Sequence, residues 1–157
     1  MKTVDYLQLD SKSTEKTVDG LQKLLANLQL YYTNLRGFHW NVKGVEFYGL
    51  HAKLEKFYDD TAEKVDEVAE RILMLGGVPV HNYTEYLKTS SIKETAVVSN
   101  TKEIAKNVLD SLKVLIGLER GVIEVASESN DEVTVSLLSD FLADQEKNVW
   151  MLTAFLS

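Results

Sequence analysis

Four side chains able to hold a metal ion stand at telling intervals: His39 and His51 are twelve residues apart, and Asp66 and Glu70 follow fifteen and nineteen residues after the second histidine. Imidazole nitrogen with carboxylate oxygen suits iron, the nitrogen holding the ferrous ion and the oxygens stabilising the ferric product. Zinc is a second occupant that the same donors would accept. There is no cysteine, so thiolate sites, disulfides and thiol catalysis are excluded together. On a helix, Asp66 and Glu70 are an i, i+4 pair on one face, and His51 and Glu55 are another such pair one helix length upstream. At about 1.5 Å per residue, His51 and Asp66 lie roughly 22 Å apart along a continuous helix, against a metal bond of about 2 Å. One subunit cannot close this site. Two antiparallel copies about a twofold axis could, and each interface would then carry two equal sites.

The elements that must position these residues are helices. The only proline is Pro79, just after Gly76 and Gly77, which leaves long uninterrupted windows on either side. In the first window Val18, Leu21, Leu25, Leu28, Tyr32 and Leu35 recur at spacings of three and four, with Ser13 or Thr14 as the expected N-cap and His39 as the next member of the stripe. The second carries Phe47, Leu50, Leu54, Phe57, Thr61, Val65, Val68, Ile72 and Leu75 on one face and His51, Glu55, Ala62, Asp66 and Glu70 on its neighbour. It should end at Gly76-Gly77. Asn100 and Glu103 resemble a capping box that opens a third helix through Ile104, Val108, Leu112, Leu115, Val122 and Ile123. A fourth is expected from about Asp131 to Phe155, capped by Asn130 and carrying Leu138, Phe141, Gln145, Val149 and Leu152. The connection from Gly77 to Ser99 is too long for a tight turn, and a short helix is expected around Tyr83 to Lys88. The fold class predicted is therefore all-α: a ferritin-like four-helix bundle with one long crossover carrying a short extra helix.

A chain of 157 residues, 45% hydrophobic, is expected to form a single domain over residues 1–157. Met1 to Ser13 lacks an apolar core of signal-peptide length and no stretch approaches a membrane span, so a soluble, cytoplasmic protein is expected. The net charge of −7 argues against a surface for DNA phosphates. A bundle-centred di-iron site would need Glu-x-x-His, yet the residues three before His39, His51 and His81 are Arg36, Tyr48 and Val78. Any metal chemistry must lie elsewhere than the bundle centre.

Phe38-His39-Trp40-Asn41-Val42-Lys43-Gly44, then Phe47 and Leu50-His51, then Asp66-Glu67-Val68-Ala69-Glu70-Arg71 ending in Leu75-Gly76-Gly77, resemble the Dps family of mini-ferritins, with Trp150-Met151 adding to the match. The likeness runs from about Gly20 to Leu156. It implies a dodecameric hollow shell that oxidises ferrous iron with hydrogen peroxide or oxygen, stores the ferric mineral and protects against oxidative stress. By motif position His39 and His51 match the histidines of one subunit, and Asp66 and Glu70 the carboxylates of its twofold mate. Glu55 stands where the family often has aspartate, which keeps the charge and lengthens the reach by one methylene. Trp40 is implied to lie near the iron as an oxidisable or packing ring, and Glu128, Asp131 and Glu132 to lie at a threefold cation inlet. The alternative is a DNA-binding and compacting protein with little ferroxidase activity. Against it, Lys2, Lys12 and Lys16 are cancelled by Asp5, Asp10 and Glu15, and twelve copies at −7 would carry −84. Direct DNA binding is thus not expected.

Overall fold

Six helices account for the architecture of the computed structural model, which describes residues 3–157; Lys2 of the N-terminal charge tally lies outside them. They are α1 (Thr3–Leu7), α2 (Ser11–Asn41), α3 (Phe47–Met74), α4 (Tyr83–Thr89), α5 (Thr101–Glu128) and α6 (Glu132–Leu156). The four long helices α2, α3, α5 and α6 form the bundle, with short links within α2/α3 and α5/α6 and the long crossover carrying α4 between the two pairs. That is the arrangement expected from the sequence. Among the described residues there is no β-strand, and no helix is long and apolar enough to cross a membrane.

α2 is the central element, packing against α3, α5 and α4. Its buried face carries Leu21, Leu24, Leu25, Leu28, Leu35 and Phe38 against Leu54, Val68 and Ile72 of α3 and Ile104, Leu112 and Leu115 of α5 in one continuous apolar cluster. Close approach of α2 to α5 depends on Gly20, where a β-carbon would lie 2.7 Å from a methyl of Val122. α3 stops in a Schellman turn: Gly76 has φ +84°, its amide donates to Leu73 O, and the Gly77 amide donates to Ile72 O at 2.9 Å.

Three local outcomes differ from the sequence expectation. α1 was not anticipated; it is a single turn whose Val4 is buried beside Gly76. α2 begins earlier than Ser13, because the Asp10 carboxylate accepts both the Ser13 amide at 2.9 Å and the Ser13 hydroxyl at 3.0 Å. Asn130 does not cap α6; it takes up a left-handed φ of +58° after α5, and Asp131 caps instead by accepting the Thr134 amide at 3.0 Å. Asparagine tolerates that backbone region, so the capping role moves one residue on.

The crossover is strapped to α2. Asn27, buried, accepts from the Ser90 hydroxyl and from the amides of Ser91 and Ile92 at 3.0 to 3.1 Å. Two turns further on, Asn34 donates to Lys93 O and accepts the Thr95 amide. The strap ends where the Lys43 amide donates to Ser99 O, which pins the α2–α3 corner that holds the two histidines.

Candidate metal centre

His39 lies in the last turn of α2 and His51 in the second turn of α3, so the corner between the helices brings them together. Their rings stack with centroids 3.7 Å apart and planes 20° from parallel. Nδ1 of His39 donates to the His51 carbonyl at 2.9 Å, and Nδ1 of His51 donates to the His39 carbonyl at 2.9 Å. A carbonyl can only accept, so each Nδ1 carries a proton, and in the neutral ring Nε2 is left as the nitrogen with a free lone pair. The His39 carbonyl is available because the amide four residues on, Lys43, is engaged with Ser99. Both imidazoles are thus oriented by the backbone, as is usual for metal-binding histidines. Phe47 stacks on His51 at 4.9 Å and Tyr58 meets His39 edge-on at 5.2 Å, so the pair is walled by aromatic rings.

The carboxylates are elsewhere. Glu55 is exposed one turn after His51, and Asp66 and Glu70 are exposed further along the same uninterrupted α3, toward its far end. At the helical rise, His51 and Asp66 are separated by roughly 22 Å. Among the described residues, no three His, Asp or Glu side chains converge to hold an ion within one protomer. The histidine pair thus sits at the α2–α3 corner, and Asp66 and Glu70 lie toward the far end of α3.

Trp40 is 64% exposed and lies against Arg36, whose guanidinium carbon is 4.7 Å from its ring centroid. Glu128 and Glu132 are exposed on a surface cleft of about 580 Å³ between the α1–α2 link and the α5–α6 corner. Asp131 reaches that cleft's floor but is 2% exposed: its carboxylate binds Arg71 at 2.6 Å and the Thr134 hydroxyl at 2.5 Å as well as capping α6. Within the protomer it is a structural anchor, with both carboxylate oxygens engaged. His81 is exposed on the crossover, as expected.

Three groups escaped the sequence reading. Arg71, adjacent to Glu70, turns inward to Asp131 and Thr134 and ties the carboxylate end of α3 to the start of α6. Tyr58 abuts His39. Glu119, wholly buried on α5, accepts from Gln145 Nε2 at 2.7 Å, while its second oxygen and Gln145 Oε1 have no protein partner. Burial pushes its carboxyl up to about 8, with Gln145, Lys64 and Arg120 pulling the other way. A legible signal existed: Glu119 falls in the apolar stripe Leu112, Leu115, Val122, Ala126, where a charge is out of place.

The fold defines a class, that of ferritin-like bundles, here with a histidine pair at a helix corner; residues 18–157 match the Ferritin family, described as a ferritin-like domain. The chain is 50% identical over 154 residues to the DNA protection during starvation protein of Porphyromonas gingivalis, covering 98% of this chain and 97% of that protein. It is 40% identical to DNA protection during starvation protein 2 of Bacillus anthracis, covering 91% of this chain and 98% of that one. The crystal structure of the Vibrio cholerae Dps protein, described as a member of a broad superfamily of ferritin-like diiron-carboxylate proteins, superposes with a TM-score of 0.93 at 43% identity over 95% of this chain and 94% of that one. The chain belongs to the Dps family.

Proposed function

We propose that this protein oxidises ferrous iron at sites shared between twofold-related subunits, using hydrogen peroxide or oxygen, and stores the ferric product in a closed shell of twelve copies in the cytoplasm. The observation that carries the reading is the split donor set. His39 and His51 have bare Nε2 atoms, while Asp66 and Glu70 are exposed and find no partner among the described residues of their own protomer. Nitrogen and oxygen donors from two copies would make a set suited to iron, with Glu55 beside His51 as a further oxygen donor and zinc as a competing occupant. Iron is here the substrate, and Glu128 and Glu132 would attract it toward a cation inlet.

Complementation tests the shared site. Shells made only of His51→Asn subunits or only of Asp66→Ala subunits should each lose rapid ferrous oxidation, because every site carries a lesion. Asparagine at 51 keeps an N–H where Nδ1 stands and removes the Nε2 ligand. Co-assembly of the two variants from unfolded chains should restore about a quarter of wild-type sites, since half the dimers are mixed and each mixed dimer has one intact site of two. Absence of recovery in shells of native size would overturn the interface reading.

A second reading follows from the relatives named for DNA protection during starvation. The negative total and the uncharged balance of the N-terminus weigh against direct contact with phosphate. No mobility shift of duplex DNA is expected at low salt with a chelator present. A tight complex there would favour the DNA reading.

A further inference from the structure

We propose, resting on the iron-oxidation reading, that Tyr58 donates one electron through His39 when a single ferrous ion meets hydrogen peroxide, ending as a neutral tyrosyl radical. Two ferrous ions can supply both electrons that peroxide needs. A half-filled site supplies one, and the remaining oxidising equivalent must be met by the nearest oxidisable group.

Within the protomer, that group is Tyr58. The Tyr58 ring meets the His39 imidazole edge-on at 5.2 Å, and Tyr32 meets Tyr58 edge-on at 6.1 Å, which continues an aromatic path away from the histidine pair. Tyr58 is half-buried, so solvent reaches it to take up a proton while its ring stays packed. The carboxylates of Glu55 and Asp59 bear on it electrostatically more than the opposing Arg36 does, and a net negative field favours loss of an electron. Trp40 is placed otherwise. It makes no ring contact with His39 or His51 among the described aromatic pairs, and the Arg36 cation against its face opposes oxidation.

The step balances as follows. Ferrous iron gives one electron and becomes ferric, the O–O bond of hydrogen peroxide breaks, and one oxygen leaves as hydroxide. The other oxygen receives the electron from Tyr58, and the phenolic proton, passed through solvent, completes it as water. The tyrosine is left as a phenoxyl radical, and no free hydroxyl radical escapes.

The test uses the assembled protein, loaded anaerobically with less than one ferrous ion per site, mixed with hydrogen peroxide and freeze-quenched for electron paramagnetic resonance. A radical spectrum that narrows in protein made with ring-deuterated tyrosine is expected, and Tyr58→Phe should lose most of it while spin-trapped hydroxyl radical rises. Phenylalanine keeps the ring against His39 and removes only the O–H. Trp40→Phe should leave the radical in place. A signal unchanged in Tyr58→Phe, one that narrows only with deuterated tryptophan, or one lost in Tyr32→Phe but kept in Tyr58→Phe overturns the assignment. The two failures separate cleanly. Missing ferric absorbance in wild type overturns the iron-oxidation reading and this step with it, whereas normal ferric absorbance with a Tyr58-independent radical overturns this step alone.

Discussion

A Glu119→Gln protein should be more stable than its parent throughout the neutral range, with the gap widening as the pH rises from about 5 to about 8. In the unfolded chain this glutamate ionises near its ordinary 4.5, whereas in the bundle it keeps its proton up to about 8. Below both values the two states bind the proton alike and the group's stabilising contribution is complete. Between them the unfolded chain ionises and the folded chain does not, so stability falls steadily and stays reduced above 8. At about 1.4 kcal/mol per pH unit, the loss accumulated by pH 8 is of order 3–5 kcal/mol per chain. The physical causes are burial on α5 without a second hydrogen-bond partner, only partly offset by Gln145 of α6, Lys64 of α3 and the neighbouring Arg120. Lys64 is itself shared with Asp60 and Asp144, which leaves it a weak counter-charge for Glu119. A glutamine at 119 can accept from Gln145 Nε2 and donate to Gln145 Oε1, which satisfies both orphaned oxygens without any charge. Denaturant midpoints measured at fixed protein concentration from pH 4.5 to 9 would check it. Parallel curves for parent and variant would refute the assignment of a buried acid.

Removing Asp131 should be the most damaging single change at the carboxylate end of α3. Arg71 and Asp131 are both buried, and Asp131→Ala strands the guanidinium with only the Thr134 hydroxyl and the Met74 thioether, neither of them charged. An uncompensated buried charge of this kind costs about 3–5 kcal/mol, and loss of the α6 N-cap adds about 1 kcal/mol. Set against a typical stability of roughly 5–15 kcal/mol, this approaches outright unfolding. A double variant, Arg71→Met with Asp131→Asn, removes the charge from both sides and keeps an oxygen for the Thr134 amide. It should lie closer to the parent than Asp131→Ala in thermal unfolding at matched concentration. A loss below about 1 kcal/mol for Asp131→Ala would mean that the pair is dispensable.

The bundle was legible because its signals are local. Periodic apolar positions, Asn100 as a cap and Gly76-Gly77 as a stop can each be read within a dozen residues, and each is found in place. Where two neighbours could serve, as with Asn130 and Asp131, the choice turned on which of them took the left-handed backbone position, and sequence pattern does not encode that. The histidines, Asp66 and Glu70 could be picked out by type and spacing, and their separation along α3 follows from helical rise alone. What lay beyond reach was everything made by packing between distant segments. Arg71 finds Asp131 sixty residues away, Glu119 finds Gln145 across the bundle, and Tyr58 reaches His39 because the α2–α3 corner folds back. The mirrored histidine-to-carbonyl bonds are of the same kind, since neither residue type nor spacing specifies them.

Those mirrored bonds make the histidine pair a clasp, apart from the donor role proposed for it. Losing either imidazole would remove a bond between the two helices and slacken the corner that the crossover strap also holds. A descendant that abandoned metal chemistry would still have reason to keep both rings for the sake of its fold. Among the described residues Asp66 and Glu70 have no partner in their own protomer, and they would be free to drift. In any lineage built on this corner, it is the survival of the two carboxylates, rather than of the histidines, that would record whether the proposed chemistry is in use.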